Sequence, residues 1–509
     1  MPFQSRARVV APSEVCTGPA LQAELVCAER SLSGGDELLS SQTIRGGAYF
    51  AARYGLGVIV SLGNMLVMTR WIGPHNYGLF VTAIGLAAFL STLARAGLDT
   101  YLVRRETAPE KRTYDVASTV ICCTSIGVTL AGAALAPLLV RWYGSREFVW
   151  PYLALLFTVP LTGLTGVPMA KLERELDFRR VAGIELGGQV VGLMLAITLA
   201  WSGGGVWAPV GGQVAWQIFV LVAAFLSAGL QPRPCLDVRQ AREMLSFGIG
   251  ITASQRTWQL RTLVNPLLVG RFAGVEGVAF VALAIRIAEA LGTFRLAAGR
   301  MAVAALARLQ ARPEKFRAAL ERAVYLQVMA LGPLLCAFAL LGQFVVKHVI
   351  GVRWMPSLAV FPFVAAGVLV NSVYNLQASA LFVTGKQWTV MRSYAVHVAL
   401  LGIGTWWLLP RFGIVGYGWA ELLACAAYFV IHAELAVRVE IRYHKLGPWI
   451  AGFATLLFIS LTRRPWLAGT LLILPGYAAI QVRKYVLAAG KRASSRERLP
   501  LLRVGVEGQ

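Results

Sequence analysis

The stretch Asn64-Met-Leu-Val-Met-Thr-Arg70-Trp-Ile-Gly73 returns 201 residues later as Asn265-Pro-Leu-Leu-Val-Gly-Arg271-Phe-Ala-Gly274. The apolar segment that follows continues the match, because Phe80-Val-Thr-Ala83 aligns with Val281-Ala-Leu-Ala284. The shared Asn, Arg and Gly carry the alignment, since apolar residues coincide by chance more often in a sequence of this kind. The repeat predicts a chain made of two related halves.

The composition places these halves in a membrane. Of the 509 residues, 57% are hydrophobic and 14% are charged, and the mean hydropathy is +0.62, whereas about a quarter of the residues of a soluble protein are charged. From Gly46 onward, apolar runs of about 20 residues recur, each long enough to cross the hydrocarbon core as a helix. The runs lack the alternating polarity of barrel strands. We therefore predict an all-α polytopic membrane protein.

We expect about fourteen transmembrane helices, of which the last two are the shortest. The repeated stretches end spans 1 and 7, so both spans run outward and the two halves share one orientation, related by an axis along the membrane normal. The predicted spans are 47–69, 78–98, 116–140, 150–170, 182–201, 206–230, 246–270, 275–300, 323–346, 355–385, 391–409, 414–437, 446–462 and 466–482.

Most of the basic residues lie in alternate connections between the spans. The net charge is +23, and clusters such as Arg104/Arg105 and Arg308/Arg312 fall in connections that are cytoplasmic when the N-terminus is cytoplasmic. This asymmetry follows the positive-inside rule, so we place both termini in the cytoplasm. The same charge meets the anionic lipid of the inner leaflet, which makes a nucleic-acid partner unnecessary.

Two six-helix lobes of like orientation imply a central cavity between them and transport by alternating access. The outer connections are too short to hold a soluble domain on that side. The predicted organisation is a flexible cytoplasmic tail at 1–45, an N-lobe at 46–232 (spans 1–6), a C-lobe at 233–440 (spans 7–12), two extra C-terminal helices at 441–485 (spans 13–14) and a basic cytoplasmic tail at 486–509.

Several arginines fall inside the apolar runs. A charge in the bilayer is costly, and it persists mainly where it faces a wet cavity, a counter-ion or an anionic substrate. Guanidinium groups bind phosphate oxygens bidentately and stay charged at any working pH. The sequence therefore predicts a path for an anion. The intramembrane arginines are Arg53, Arg95, Arg256, Arg261, Arg286, Arg295 and Arg300.

Span 8 is the most informative helix. Arg286, Glu289 and Arg300 lie within about 60° of one another on a helical wheel, whereas Arg295 points nearly the opposite way. Arg286 and Glu289 are three residues apart, so they either line the cavity as a polar stripe or form a structural ion pair. Arg286 lies near the middle of the membrane and is our first candidate for cavity lining.

The other arginines leave alternatives open. Arg256 and Arg261 are about 140° apart around span 7, so we expect only one of them to face the cavity. Arg53 and Arg95 lie toward the cytoplasmic end of their spans, where the side chains either bind an anion or reach the lipid headgroups. The same holds for Arg295.

The acidic residues inside the spans have two possible roles as well. A carboxyl group in apolar surroundings carries a proton readily, so an acid either couples transport to a gradient of H+ or Na+ or compensates the charge of an arginine. No phosphate-binding loop for ATP is present, and we expect no cofactor and no metal site. The candidate acids are Glu289, Glu421, Glu185 and Asp99, the last of which is also spaced to pair with Arg95.

Aromatic and amide side chains inside the spans are candidates for sugar contact, because aromatic faces stack on sugar rings and amides bond to hydroxyl groups. Most of the tryptophans are better explained as anchors at the membrane interface. The candidates for sugar contact are Tyr54, Asn64, Trp258, Asn371, Tyr374 and Asn375.

Several motifs carry a family resemblance. The segment Arg70-Trp-Ile-Gly73-Pro-His-Asn-Tyr77-Gly78-Leu-Phe80 is similar to the Arg-x-x-Gly-x-x-x-Tyr-Gly pattern of the polysaccharide-transporter branch of the multidrug/oligosaccharidyl-lipid/polysaccharide exporter superfamily. The chain departs from the pattern in its second half, where Gly277 is followed by Val278 rather than Tyr. Over about residues 45–440 the likeness also includes Gly97-Leu98, Lys171-Leu-Glu-Arg174-Glu-Leu-Asp-Phe178-Arg179, Gly205-Val-Trp207-Ala208 and Leu409-Pro410-Arg-Phe-Gly413-Ile-Val-Gly416.

The resemblance implies a flippase rather than an enzyme. Its substrate would be a polyprenyl-pyrophosphate-linked oligosaccharide, moved from the cytoplasmic to the outer leaflet for exopolysaccharide or O-antigen (lipopolysaccharide) synthesis. It implies a monomer in a bacterial inner membrane that meets polysaccharide polymerase and chain-length proteins there. Two alternatives remain: a cation-coupled multidrug exporter, which calls for a carboxylate-rich cavity, and a membrane-embedded glycan polymerase or ligase, which calls for a large outer loop.

Overall fold

The computed structural model of the chain describes residues 63–105, 109–310, 312–437 and 446–461, together with residues 57, 60 and 480. All regular secondary structure in this part of the chain is helical. The predicted all-α class is therefore confirmed.

The first half of the described chain contains eight helices, several of which are continuous across the membrane. They are α1 (Gly63–Arg95), α2 (Leu98–Arg104), α3 (Lys111–Ala134), α4 (Ala136–Tyr143), α5 (Val149–Leu156), α6 (Thr158–Arg174), α7 (Phe178–Trp201) and α8 (Trp207–Ala228).

The second half is less regular. A 3-10 turn (Leu260–Leu263) and a π-helical turn (Asn265–Val269) join α9 to α10, and a second π-helical turn (Val346–Ile350) ends α12. The helices are α9 (Val238–Gln259), α10 (Gly270–Leu291), α11 (Phe294–Ala307), α12 (Pro313–Val345), α13 (Ser357–Val383), α14 (Gln387–Phe412), α15 (Ile414–Ala424), α16 (Tyr428–Ala436) and α17 (Gly447–Ile459).

Ten helical stretches in the described chain are long and apolar enough to cross a membrane. Two of them, Gly63–Arg95 and Arg256–Leu291, enclose a glycine with a left-handed backbone, with φ of 74° at Gly73 and 70° at Gly274. Each stretch therefore covers parts of two predicted spans. The helix α17 covers predicted span 13, while 466–482 lies outside the described residues except for Ile480, so the total of fourteen is not confirmed.

These two glycines also show that the sequence repeat extends to conformation. Gly73 and Gly274 are the last residues of the two aligned stretches. Both adopt a positive φ, which residues with a side chain rarely adopt. Neighbouring helices pair in the same way in both halves, because α7 packs on α8 as α14 packs on α15. The two lobes thus repeat one plan.

The lobes meet along a seam between α1 and the α9–α10 stretch. Gly78 lies against the backbone of Val275, the Thr92 hydroxyl donates to the side-chain oxygen of Gln259 at 2.6 Å, and Gly97 lies against Gly248. The partner numbers fall as the α1 numbers rise, so the two elements run antiparallel. From Gly78 to Gly97 the seam spans about 28 Å, which is nearly the thickness of the hydrocarbon core.

The connection between the lobes is bound to the N-lobe. The Arg233 N–H donates to Asp115 Oδ1 at 3.0 Å, the Cys235 N–H donates to the Thr119 hydroxyl at 3.0 Å, and Arg112 pairs with Asp237 at 3.2 Å. These contacts hold residues 233–237 against α3, so α9 begins its course attached to the N-lobe.

The first half of α9 then packs on the N-lobe. Ala241 and Met244 are buried in a cluster with side chains of α2 and α3, and Tyr101 donates to Glu243 at 2.9 Å. Burial and the hydrogen bond to Glu243 raise the pKa of Tyr101, so its hydroxyl remains a donor at any working pH. Although the predicted C-lobe starts at residue 233, the start of α9 makes N-lobe contacts.

Candidate substrate path

The segment that joins α9 to α10 places Arg261 in the interior. Pro266 has no N–H, so it cannot continue a regular α-helical ladder through this point, and the chain passes from a 3-10 turn to a π-helical turn there. Asn265 is buried and donates from Nδ2 to the Val278 carbonyl at 3.3 Å. At this break in the helix, the Arg261 side chain points toward Glu421 on α15 and does not lie along the surface of α9.

Arg261 forms a buried ion pair with Glu421. Its guanidinium donates to Glu421 Oε1 at 2.5 Å, and the side chains are 17% and 3% exposed. The guanidinium also lies 5.3 Å from the centre of the Trp258 ring, a distance at which a cation is attracted to an aromatic face. The charge of Arg261 is therefore compensated within the C-lobe.

An aromatic cluster surrounds this pair. The Trp258 and His397 rings are 5.1 Å apart, His397 and Tyr428 are 5.3 Å apart, and Tyr374 stacks on Tyr428 at 5.1 Å with an interplanar angle of 13°. Two candidates for sugar contact, Trp258 and Tyr374, thus pack in the C-lobe against other rings. Their packing fixes the walls around the Arg261–Glu421 pair.

Arg295 is also engaged inside the C-lobe. Its guanidinium donates to the carbonyls of Gly292 at 3.1 Å and Val368 at 3.2 Å and to Asn371 Oδ1 at 3.1 Å. Asn371 in turn donates to the Tyr428 hydroxyl at 2.7 Å. Arg295 therefore ties α11 to α13.

Arg95 and Arg256 approach each other across the seam between the lobes. Arg256 interacts electrostatically with Asp99, which attracts it, and with Arg95, which repels it. Arg95 and Asp99 do not form the ion pair that their spacing allows, since Asp99 Oδ1 accepts instead from the N–H of Thr100 at 2.8 Å. Both arginines are half-buried. Two guanidiniums near one carboxylate leave a local excess of positive charge.

A cavity of about 330 Å³ opens beside Arg95, inside the N-lobe. Its wall comes from α1, α2, α6, α7 and α8 and carries both signs of charge. Glu185, one of the candidate acids, lies in this wall. The charged and amide side chains of the wall are Arg95, Asp99, Arg104, Glu173, Glu185 and Gln217.

Arg286 and Glu289 are exposed on α10. They do not form the ion pair that the spacing allows, and neither side chain pairs with another described residue. Glu289 nevertheless interacts electrostatically with Arg261, which lies in the C-lobe interior. Glu289 therefore lies close enough to Arg261 for its charge to act on that guanidinium.

The structure gives fewer contacts for the remaining predicted site residues. Arg53 and Tyr54 lie outside the described residues, as does the side chain of Arg300. Asn64 is half-buried, and its Oδ1 has no hydrogen-bond partner in the described chain. Asn375 lies close to Gly299, 3.4 Å from where a β-carbon on that glycine would stand.

Sequence reasoning missed a set of residues that hold helix ends. Lys171 donates to the Ala228 carbonyl at 2.7 Å, which caps the end of α8. Arg174 donates to the carbonyls of Leu102 at 3.1 Å and Arg105 at 2.7 Å, which caps α2. The Lys171–Arg179 motif was the available signal, since cations at helix C-termini bind the free carbonyls there.

The geometry defines a class of protein: a multi-pass membrane protein with two repeated helical lobes and unpaired arginines near their seam. The profile of the family described as "Polysaccharide biosynthesis protein" matches residues 67–359. This match covers more than half of the chain, so the protein belongs to the polysaccharide biosynthesis protein family.

One curated relative is the succinoglycan biosynthesis transport protein of Rhizobium meliloti (strain 1021). It is 22% identical over 227 residues, which are 44% of this chain and 45% of the relative. The chain thus aligns with slightly less than half of the length of this relative.

Solved structures share the fold. The lipid II flippase MurJ in an inward closed conformation has a TM-score of 0.70 and 11% identity over 86% of this chain and 99% of that chain. An inward-facing multidrug resistance MATE family transporter of the MOP superfamily has a TM-score of 0.54 and 17% identity over 75% of this chain and 98% of that chain. At these identities the likeness concerns the fold alone, and it agrees with the predicted two-lobed architecture.

Proposed function

We propose that the protein is a flippase that moves a polyprenyl-pyrophosphate-linked oligosaccharide from the cytoplasmic to the outer leaflet by alternating access. The glycan would serve exopolysaccharide or O-antigen synthesis. Membership of a polysaccharide biosynthesis family supports the substrate class. The succinoglycan transport protein, which aligns with part of the chain, and the lipid II flippase, which shares the fold, support transport of a lipid-linked glycan.

The observation that carries this proposal is the set of arginines without a paired carboxylate. Arg95, Arg256 and Arg286 make no ion pair with any described carboxylate, although all three fall in apolar stretches. A guanidinium left unpaired at membrane depth needs water or an anion. A pyrophosphate supplies two adjacent anionic groups whose oxygens match the planar donor pattern of arginine.

The contacts described above reduce the number of arginines that we assign to the anion path. Arg261 and Arg295 serve the interior of the C-lobe, because the first pairs with Glu421 and the second binds carbonyls. We assign the anion path to Arg95, Arg256 and Arg286, and Arg53 stays a candidate by sequence. We assign charge compensation to Glu421, so Glu289 on α10 and Asp99 and Glu185 at the N-lobe cavity stay the candidates for coupling to H+ or Na+.

The same proposal implies the membrane in which the protein acts and the partners that it meets there. The chain would act in a bacterial inner membrane with both termini in the cytoplasm, as a monomer that delivers its glycan to polymerase and chain-length proteins. Its basic inner surface would rest on anionic lipid.

Replacement of Arg286 or Arg256 by Gln tests the path. Each substitution removes one charge-assisted contact to phosphate, worth about 1.5–3 kcal/mol, so glycan export in a deletion strain should fall about tenfold or more. Arg179→Gln is the matched control, because Arg179 is exposed on the inner surface away from the seam. Export is measured as surface polysaccharide per unit of membrane-inserted protein.

A binding measurement separates transport from stability. Purified protein in nanodiscs should bind a polyprenyl pyrophosphate more weakly in both variants than in wild type and Arg179→Gln. Wild-type export together with wild-type binding in both variants would contradict the anion path.

A further inference from the structure

The two lobes are joined at two further places, which the predicted orientation of the spans puts at their outer ends. Each junction is centred on an arginine of the repeated stretch, Arg70 in the first half and Arg271 in the second. We call the contacts of Arg70 and Trp354 the first clasp and the contacts of Arg271 and Trp142 the second clasp. Each clasp combines an arginine of one lobe with a tryptophan of the other.

The first clasp reaches from α1 to the outer end of α12. Arg70 Nη1 donates to the carbonyls of His348 at 3.2 Å and Val349 at 3.1 Å, which belong to the last turn before Gly351. In the opposite direction, the Trp354 indole N–H donates to the Thr69 carbonyl at 2.9 Å. Trp354 is 1% exposed, so this contact is buried.

Aromatic packing seals the first clasp. The Trp354 ring lies edge-to-face against Tyr77 of α1 at 5.4 Å and against Phe280 of α10 at 6.1 Å. Trp354 therefore contacts both lobes at once. Carbonyls at a helix C-terminus lack partners within the helix, so the Arg70 guanidinium satisfies groups that water would otherwise have to reach.

The second clasp reaches from the end of α4 to the π-helical turn before α10. The Trp142 indole N–H donates to the Leu267 carbonyl at 2.8 Å, and the Tyr143 hydroxyl donates to the Pro266 carbonyl at 3.0 Å. The Arg271 guanidinium lies 5.8 Å from the centre of the Trp142 ring. Burial raises the pKa of Tyr143, so its hydroxyl stays a donor.

The second clasp extends to α14. Trp142 stacks on Trp406 at 6.1 Å with an interplanar angle of 30°, and Phe272 meets Trp406 edge-to-face at 5.1 Å. Residues 70–71 align with residues 271–272 in the repeat. The equivalent arginine of each half, Arg70 and Arg271, therefore contacts the opposite lobe.

Between the clasps the backbones of the two lobes touch. A β-carbon on Gly78 would lie 1.9 Å from the Val275 carbonyl oxygen, so no side chain fits between α1 and α10 here. The two lobes thus meet by direct backbone contact as well as through the two clasps.

We propose that the two clasps form the outer gate of the transporter and hold the outer-closed state, so that both must break before the outer side opens. This proposal rests on the alternating-access function proposed above. The donors and acceptors of both clasps come from different lobes, and separation of the lobes removes every bond named here at once. Each clasp therefore biases the same two-state equilibrium toward the closed form.

Cysteine accessibility from the outer side tests the gate. Met68→Cys, in a background without the native cysteines, places a thiol at a position that is 2% exposed beneath the first clasp. Labelling by a membrane-impermeant maleimide in intact cells should be slow when the clasps are intact. Arg70→Gln should speed it by about tenfold, the factor that one lost charge-assisted hydrogen bond gives an equilibrium. Arg271→Gln removes a cation–π contact and should speed it by about two- to fivefold.

Matched variants isolate the clasps. Arg411→Gln is the control, because Arg411 stacks on Trp407 at 4.1 Å and bonds to a carbonyl of its own helix, without crossing to the other lobe. Trp354→Phe and Trp142→Phe remove only the indole donor and keep an aromatic ring, so they should speed labelling even where an arginine variant folds poorly. The double variant of Arg70 and Arg271 should label faster than either single variant.

The outcomes separate this proposal from the proposed function. Labelling that is no faster in the clasp variants than in Arg411→Gln overturns the gate, whether or not glycan is exported. Faster labelling in the clasp variants supports it. Failure of the wild-type protein to export any lipid-linked glycan would count against the flippase, and the accessibility readout does not depend on that result.

Discussion

Arg261 and Glu421 show what a single pair of residues does in this protein. They are 160 residues apart, and each alone is a charge inside an apolar run. Paired at 2.5 Å in the C-lobe interior, each neutralises the charge of the other. Removal of one partner from such a pair leaves an uncompensated buried charge, whereas replacement of both by apolar residues is often neutral.

We therefore expect Glu421→Gln to lower the free energy of unfolding by about 3–5 kcal/mol. The double variant Arg261→Met/Glu421→Leu should recover most of this loss, because no charge remains buried. Unfolding driven by SDS in mixed micelles measures both. Wild-type stability of Glu421→Gln would refute the compensation role, while a stable double variant that exports no glycan would point to a transport role for the pair.

At the scale of the element, the approach of α1 to α9 depends on small residues. A β-carbon on Gly97 would lie 2.5 Å from the Gly248 carbonyl oxygen, and Gly97 has a φ of 78°. The contact brings two backbones together at the inner end of the seam, where larger residues would hold the helices apart. The two backbones can approach each other this closely only because Gly97 has no side chain.

Gly97→Ala should cost about 2 kcal/mol or more, since it combines a strained backbone conformation with a steric overlap. Gly127→Ala is the control, because a β-carbon there meets nothing within 4 Å and Gly127 lies within α3. That variant should be neutral or stabilising, as alanine favours a helix. The comparison is made by the same unfolding measurement, and equal stability of the two variants would contradict the close-packing argument.

At the scale of the whole molecule, the α9 segment is attached by packing contacts to both lobes. Its start packs on α2 and α3, while Val264 and Val269, just beyond its end, are buried in the cluster that contains the C-lobe helices. The irregular segment Leu260–Val269 lies between these two attachments. A relative movement of the lobes must therefore deform the α9–α10 stretch.

Spin-label distances should reveal this arrangement. Labels at Lys111→Cys and Arg239→Cys should keep one distance with and without bound lipid-linked substrate, because α9 starts on the N-lobe. Labels at Arg239→Cys and Lys315→Cys should change distance, since Lys315 begins α12 in the C-lobe. A constant distance in the second pair and a variable distance in the first would reverse the assignment of α9.

Much of the architecture followed from the sequence. Long apolar runs determine transmembrane helices because lipid offers no partner for an unpaired backbone group, and the spans from the second to the twelfth are present in order. The repeat Asn64–Gly73 and Asn265–Gly274 predicted equivalent halves, and the two left-handed glycines agree with it.

The candidate site was predicted only in part. Sequence selects arginines in apolar runs because their cost depends on local surroundings, but it does not say which of them have partners. Arg261 pairs with Glu421, 160 residues away, and Arg295 donates to Val368 and Asn371, more than 70 residues away. Arg70 was noted only as part of a motif. Trp142 and Trp354 lay among tryptophans best explained as interface anchors, and nothing in their local sequence distinguishes a gate from an anchor.

The sequence by itself determined the membrane class, the helical spans and the excess of guanidinium charge, because each depends on residues close together in the chain. Only the tertiary structure decided which charges are neutralised, where α9 is attached and how the two lobes meet. Arg261 and Glu421 are 160 residues apart, and Arg112 and Asp237 are 125 residues apart; no local pattern specifies such contacts, because they exist only once distant helices have packed against each other.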